Sequence, residues 1–216
     1  FTESGKASGV AAASHDLSAW SPLVFDVDHD GDEDIWLPNS AVAPGGQLPA
    51  VMGCGDPVLA AVQRDVVLLN DGKAVFTALI GPKPANQAAG AVGTPTTAFD
   101  VDDDGDLDIA QVRRTGSIHV YRNDFAAPAT AVLVRLVGKA KNALAAGAWA
   151  EAKVGANTLR RHLVGNSGFG GSGLWRLHFG LGNAKQIDKL TVHWPGGGVS
   201  DHPNVVAGSK LVLSEP

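Results

Sequence analysis

Cysteine is almost missing from this chain of 216 residues, which contains only Cys54. No disulfide can form within the chain, and a cysteine-ligated metal cluster is excluded. Tyrosine is equally scarce, with Tyr121 alone. No apolar run reaches the roughly 18 residues that predict a membrane span. The sequence also lacks an initiating methionine and a signal peptide, so we expect either a processed form or a piece of a longer protein.

Glycine and proline are abundant by contrast. The 27 glycines and 12 prolines lie mostly beside short runs rich in Val, Leu, Phe and Thr, which predicts an all-β fold with many turns. Only residues 183–187 suggest helical periodicity. In the second half of the chain, strands are predicted at residues 132–137, 149–154, 175–179, 190–194 and 210–213.

Charge is distributed unevenly behind a formal net charge of -5. Residues 1–130 carry 18 acids and 7 bases, whereas residues 131–216 carry 4 acids and 10 bases. We expect the basic part to dock against the acidic part of the same chain. Nucleic-acid binding is not predicted, because the bases are scattered and aromatic residues are not interleaved with them.

An internal repeat organises the first half of the sequence. Residues 24–35 recur as residues 98–109, and each copy contains six acids and no base within nine residues. The flanking pairs repeat as well, at Phe1-Thr2 and Phe76-Thr77 upstream and at Asn70-Asp71 and Asn123-Asp124 downstream. The copies are therefore predicted to be whole structural units.

The first copy is longer by 21 residues, which fall within residues 38–62. This insertion includes Cys54. Two interpretations remain open, a surface loop whose length is tolerated or a loop that contacts a partner.

Each repeat contains the pattern Asp-x-Asp-x-Asp-Gly-x-x-Asp, which is suited to a hard cation. Calcium takes six to eight oxygen ligands at about 2.3–2.6 Å, and glycine at the sixth position lets the loop reverse. The predicted ligands of the first ion are Asp26, Asp28, Asp30, the Asp32 carbonyl and Asp34. Those of the second ion are Asp100, Asp102, Asp104, the Asp106 carbonyl and Asp108. We therefore expect two bound Ca²⁺ ions.

The main rival for such a loop is an EF-hand, and the sequence argues against it. An EF-hand needs a glutamate at the twelfth position and flanking helices. Leu37 and Gln111 stand at that position, and the flanks Leu23–Phe25 and Ile35–Leu37 resemble strands. Magnesium is less suitable than calcium because it keeps several waters and needs few carboxylates.

These loops, with their upstream Phe-Thr and downstream Asn-Asp, resemble FG-GAP or VCBS repeats, the calcium-binding blades of integrin-type β-propellers. The second half resembles the ASPIC/UnbV domain of cartilage acidic protein and its bacterial relatives. That resemblance rests on residues 134–138, Asn142 with Gly147-Ala148, residues 177–182 and residues 192–197.

The resemblance implies incomplete propeller-type blades at residues 1–128 and a β-sandwich-like domain at residues 129–216. It implies an extracellular or periplasmic, non-catalytic calcium-binding module that contacts a protein or a glycan. Two repeats fall short of the roughly 4–8 blades that close a ring. A protein partner or a larger assembly is therefore expected to cover the open faces.

Catalytic alternatives have less support in the sequence. A glycan lyase or hydrolase with a cleft between the two domains is the main one, although few acids lie outside the loops to act as a general acid or base. A Gly-x-Ser-x-Gly elbow is missing. His162, His178 and His193 lie on separate predicted strands, and they are expected to be structural more than metal-binding.

Overall fold

A computed structural model describes most of the chain. The described residues are 1–15, 17, 19–39, 65–79, 95–112, 117–125, 130–165, 168 and 170–216. Cys54 and the predicted insertion, apart from residues 38 and 39, lie outside them. Among the described residues the protein is mostly β, with four separate sheets and one short α-helix, so the all-β prediction is confirmed at that level.

The first sheet contains four antiparallel strands in chain order. They are β1 (Leu23–Phe25), β2 (Asp34–Leu37), β3 (Val66–Asn70) and β4 (Phe76–Leu79). Phe25 pairs with Asp34 at the end of the β1–β2 ladder. The first aspartate loop therefore connects two neighbouring antiparallel strands, as the strand-like flanks predicted.

The second sheet repeats this arrangement with three strands. They are β5 (Thr96–Phe99), β6 (Asp108–Val112) and β7 (Ile118–Tyr121). Phe99 pairs with Asp108, which matches the pairing of Phe25 with Asp34. The described residues include no counterpart of β4 in this sheet.

The C-terminal half (residues 129–216) contains seven strands in two sheets. They are β8 (Ala131–Val137), β9 (Trp149–Val154), β10 (Asn157–His162), β11 (Leu177–Gly180), β12 (Gln186–His193), β13 (Val199–Val206) and β14 (Lys210–Ser214). One sheet has the order β10-β9-β12-β13, and the other has the order β11-β8-β14. β14 runs parallel to β8, and the other pairings are antiparallel.

Both sheets of this half face one hydrophobic core. The three-stranded sheet contributes Val132, Val134, Leu136, Leu177 and Phe179. The four-stranded sheet contributes Ala150, Ala152, Ile187, Leu190, Val192 and Val205. Several of these side chains are completely buried, so apolar burial on the two inner faces holds the sheets together.

Strand β8 is buried on both of its faces because successive side chains point to opposite sides of a sheet. Val132 and Val134 face the core of the C-terminal half. Leu133 belongs instead to a second cluster together with Leu23, Phe25 and other residues of both repeat sheets. The N-terminal half (residues 1–128) therefore packs on the outer face of the β11-β8-β14 sheet.

The α-helix found in the described part of the chain, α1 (Val10–Ser14), lies where the sequence predicted none. Its Val10 and Ala13 pack with Phe76 against the first sheet. The helix expected at residues 183–187 is wrong, because a turn ends there and Gln186 opens β12. The five strands predicted in the C-terminal half are present, β9 with the predicted bounds and the other four with shifted ends. No helix among the described residues is long and apolar enough to cross a membrane.

Candidate metal centre

The two aspartate loops have the same backbone geometry. The fourth residue of each loop is left-handed, with φ 62° at His29 and 66° at Asp103. The sixth residue is Gly31 or Gly105, and both have φ 102°. This conformation is disfavoured for residues that carry a β-carbon. The glycine in each copy is therefore required by the turn, as the pattern predicted.

The ninth residue of each loop fastens the loop to its sheet. Asp34 accepts a hydrogen bond from the Val27 N–H at 2.8 Å and another from the Asn70 N–H at 2.8 Å. Both aspartates at this position, Asp34 and Asp108, are fully buried. These carboxylates therefore close the loops even before an ion is considered.

In the second loop, the Val101 N–H donates to Asp108 at 2.7 Å, and the Asn123 N–H donates to the other oxygen at 2.7 Å. These N–H groups belong to the backbone, and the asparagine side chains add a contact of their own. Asn70 Nδ2 donates to the Glu33 carbonyl at 3.0 Å, and Asn123 Nδ2 donates to the Val27 carbonyl at 2.9 Å. An asparagine after each loop is therefore explained by a side-chain amide that donates to a carbonyl of the first loop.

Three carboxylates converge in each loop. Asp26, Asp28 and Asp34 offer ligand atoms within 4.8 Å of one another. The first, third and ninth residues of the second loop do the same, at Asp100, Asp102 and Asp108. Each triad could hold a metal ion. The structure thus brings together three of the four predicted carboxylate ligands of each site.

The fifth residue of each loop also shapes its turn. Asp30 accepts the Asp32 N–H at 2.8 Å, and Asp104 accepts the Asp106 N–H at 3.0 Å. These two carboxylates lie outside the triads. They shape the turn that presents the seventh residue, whose carbonyl was predicted as a ligand.

Both triads have a carboxylate oxygen that fits a cation. Asp26 Oδ1 and Asp100 Oδ1 are buried, and neither has a hydrogen-bond partner among the described residues. A buried, unpaired carboxylate oxygen is costly unless a cation compensates it. Oxygen donors of this kind are the ligands that hard divalent cations prefer. The residues present therefore fit such an ion.

Burial also changes the pKa values of these carboxyl groups. Burial raises the pKa of Asp26 to about 7, against the opposing charge of Arg161. Burial likewise raises the pKa of Asp34 to about 6, although two backbone hydrogen bonds lower it in part. Without a metal ion the folded first loop thus favours protonated carboxyl groups more than the unfolded chain does.

Two cations of the C-terminal half reach the loops. Arg161 donates to the Gly31 carbonyl at 2.9 Å, and its guanidinium lies 3.6 Å from Asp26 Oδ2. Lys210 Nζ lies 3.1 Å from Asp100 Oδ2 and donates to the Asp103 carbonyl at 2.7 Å. The predicted docking of basic on acidic surface is therefore present at both loops.

His29 connects the two loops and the C-terminal half. Its Nδ1 lies 2.9 Å from Thr130 Oγ1, and its Nε2 lies 3.5 Å from Asp106 Oδ1. Its ring packs against the ring of His178, with centroids 4.9 Å apart. Burial, together with the charges of His29 and Arg161, lowers the pKa of His178 to about 3. Both rings are therefore neutral packing groups near pH 7.

The three histidines considered as an alternative metal site do not converge. Trp149 lies between His162 and His193, with its ring stacked on His193 at 3.8 Å and on His162 at 5.7 Å between centroids. His178 is buried against His29 instead. Among the described residues the groups that could hold a metal consist of aspartates alone.

Sequence analysis missed Arg161 and Lys210 as parts of the site. Arg161 is the last but one residue of β10, and Lys210 is the first residue of β14. Only the excess of basic residues after residue 131 pointed towards them. Which of the ten bases would reach the loops depends on how the two halves pack.

Comparison with curated proteins gives no match for this chain. Comparison with protein-family models detects no FG-GAP or VCBS repeat, so that resemblance stays a prediction. One family model, described as ASPIC and UnbV, matches residues 138–216. This part of the chain is therefore an ASPIC/UnbV domain, as the sequence predicted.

Proposed function

We propose that this protein is a non-catalytic, extracytoplasmic calcium-binding module whose two repeats are propeller-type blades and which contacts a protein or glycan partner. One observation carries the proposal. Two loops 74 residues apart in the sequence fold into matching carboxylate triads between antiparallel strands.

The choice of calcium follows from the number and kind of donors. Each triad already supplies three carboxylates, and the adjacent loop carbonyls can add further oxygens. Calcium accepts six to eight oxygens in flexible geometry, whereas magnesium demands near-ideal octahedral geometry and keeps several waters. A loop this rich in aspartate therefore favours calcium.

Calcium concentration supports the assignment to an extracytoplasmic compartment. Exposed aspartate loops of this kind stay filled most easily where calcium is plentiful, since occupancy follows the ratio of free ion to Kd. Fractionation of the native organism tests this point. Detection of the protein only in the cytosolic fraction would contradict it.

The outer edge of β7, in the second sheet, supports the expectation of a protein partner. The first sheet has a fourth strand, β4, whereas among the described residues β7 has no strand paired on its outer edge. Ile118 and Val120 on β7 are strongly exposed, and Phe125 follows them half exposed. An unpaired edge strand with exposed apolar side chains is a ready surface for another chain.

The catalytic alternative needs a cleft between the two halves. The cavities lined by residues of both halves have volumes of about 100 to 170 Å³. Small-molecule sites usually measure about 300–1,000 Å³. The acidic residues that line these cavities are Asp26, Glu33, Asp103 and Asp104, all of which lie in the two aspartate loops. These features favour the non-catalytic proposal.

Calorimetric titration of the chelator-treated protein with CaCl₂ tests the calcium assignment. We expect two ions per chain and much weaker binding of MgCl₂. Asp28→Ala and Asp102→Ala should each remove one ion. At a hundredfold excess over Kd, calcium stabilises the folded protein by about 2.7 kcal/mol per site. An unchanged melting temperature after chelation would contradict the proposal.

Native mass and small-angle scattering at micromolar concentration test the expected assembly. We expect the native protein to co-purify with a partner whose interface buries more than roughly 1,000 Å². A stable, monodisperse particle of 22.1 kDa without a large exposed apolar patch would contradict this part of the proposal. The calcium assignment would stand independently.

A further inference from the structure

The two carboxylate oxygens of the first aspartate have different surroundings, and the difference is the same in both loops. In Asp26, Oδ1 is buried without a partner, while Oδ2 accepts the Gly31 N–H at 3.0 Å and faces Arg161. In Asp100, Oδ1 is likewise buried without a partner among the described residues, while Oδ2 faces Lys210. One oxygen is thus free for an ion, and the other faces a cation of the ASPIC/UnbV domain.

We propose that Arg161 and Lys210 are positioning residues of the two metal sites, one for each loop. Each cation fixes the orientation of the first carboxylate in its loop, so that Oδ1 is held towards the other two members of the triad. This inference rests on the proposed calcium function. It assigns to the C-terminal half a part in ion binding that the repeats alone cannot supply.

Two opposing effects decide the sign of the contribution. A nearby positive charge repels a calcium ion, but that repulsion is weakened by the intervening carboxylate and by solvent. Orientation acts in the other direction, because groups that hydrogen-bond a ligating carboxylate raise metal affinity by about 10–100-fold. We expect orientation to dominate, since Asp100 is almost fully buried while Lys210 reaches it from the surface.

The two cations are anchored to different degrees. Arg161 is largely buried, donates to the His178 carbonyl at 3.0 Å, and lies over the Phe179 ring at 5.8 Å. Lys210 is about one third exposed, and its other partners are the carbonyl and carboxylate of Asp103. Replacing Lys210 therefore removes contacts with the second loop and should disturb folding less than replacing Arg161. Lys210 thus offers the cleaner test.

The test measures each loop alone. In the Asp28→Ala background only the second loop should bind calcium, and in the Asp102→Ala background only the first. Calorimetric titration with CaCl₂ then gives one Kd per protein. We expect Lys210→Met to raise the Kd of the second loop by about 10–100-fold and to leave the first loop unchanged.

Lys189→Met serves as the matched control. Lys189 forms an ion pair of the same kind, with Asp201 at 2.9 Å, on the outer face of the C-terminal half. We expect it to change neither Kd. If Lys210→Met leaves the Kd of the second loop unchanged or lowers it, the proposal is overturned. If the unsubstituted protein binds no calcium at all, the proposed function fails first, and the two failures are thus distinguished.

Arg161 is tested by a conservative change because it also supports packing. Arg161→Lys keeps the charge but loses the forked geometry in which Nε donates to the His178 carbonyl while Nη2 contacts Gly31 and Asp26. We expect a higher Kd in the first loop and an unchanged Kd in the second. Far-ultraviolet circular dichroism confirms folding before the titration. An equal loss in both loops would indicate a general structural effect and would overturn the assignment of one cation to each loop.

Discussion

Asp26 and Gly180 lie in direct contact across the interface between the two halves. A β-carbon added at residue 180 would overlap Asp26 Oδ2 and the backbone of His29. The neighbouring Gly182 N–H donates to the His29 carbonyl at 2.6 Å. The end of β11 therefore fits the first loop at backbone distance, with no room for a side chain.

Gly180→Ala should separate the first loop from the C-terminal half. We expect a loss of about 1–3 kcal/mol in the free energy of unfolding from overpacking, together with weaker calcium binding in the first loop. Urea unfolding and calorimetric titration measure the two effects. Gly198→Ala is the control, because a β-carbon there would meet nothing closer than 3.9 Å. Equal stability of the two variants would refute this close fit.

Asp34→Asn should destabilise the protein even without calcium. The carboxylate accepts two backbone N–H groups, and an amide would direct its NH₂ group at one of them. A buried, unsatisfied donor costs about 1–3 kcal/mol. Asp28→Asn is the control, since Asp28 is partly exposed and the bond that it accepts from the Asp30 N–H is long, at 3.3 Å. We expect chelated Asp28→Asn to unfold like the unsubstituted protein.

Relative to the calcium-bound protein, the metal-free protein should lose stability as pH rises from 6.5 to 8. Burial raises the pKa of Asp26 to about 7 from 3.8, so its contribution is complete below pH 3.8 and is lost as pH rises through 7. Integrated over this window, the loss from Asp26 is about 1 kcal/mol, or about 2–4 °C in melting temperature. His29 and His178 act in the opposite direction, because their pKa values are lowered below 6.5 in the folded protein and the unfolded chain releases their protons in this window. The loss is therefore measured as a difference from the calcium-bound protein, in which both histidines contribute as well.

Saturating calcium provides the comparison for that experiment. A bound ion keeps the aspartates ionised in the folded state, so the loss that comes from Asp26 should disappear while the contribution of the histidines remains. Differential scanning calorimetry with chelator and with calcium measures both curves. Parallel curves would show that Asp26 does not titrate in the metal-free protein as described.

Replacing Asn123 of the second repeat should affect calcium binding in the first loop, whereas replacing Asn70 of the first repeat should not affect the second loop. Its side chain donates to the Val27 carbonyl inside the first loop at 2.9 Å, whereas the Asn70 side chain donates to Glu33 in its own loop at 3.0 Å. We expect Asn123→Ala to raise the calcium Kd of the first loop by about 2- to 10-fold. Asn70→Ala should leave the Kd of the second loop unchanged, and a change there would contradict this asymmetry.

Local patterns predicted the local structure well. Short runs rich in Val, Leu, Phe and Thr between glycine turns indicated the strands, and the repeated aspartates indicated two loops that do form matching triads. The helix expected at residues 183–187 was wrong because a polar turn of four or five residues mimics one helical turn. Helix α1 was missed because its stability comes from contact with Phe76 and its neighbours on the first sheet, which a local pattern cannot show.

Contacts between distant segments could not be predicted. The sequence shows ten basic residues after residue 131, but only the packing of β8 against both halves selects Arg161 and Lys210. The same holds for Leu133, whose place in the N-terminal cluster depends on which face of β8 the repeats cover. The hydrogen bonds that Asp30 and Asp104 accept within their turns could not be predicted from the spacing either, and their role as ligands stays a prediction.

The parallel pairing of β14 with β8 has a consequence for the order of folding. It places Lys210 beside Asp100, from which it is separated by 110 positions in the chain. Contacts with such long sequence separation form late, because the closure entropy of the intervening chain must be overcome first. During synthesis, a nascent chain that has emerged as far as residue 137 carries both aspartate loops and neither of their cations. The loops must therefore exist for a time as solvated, strongly acidic turns.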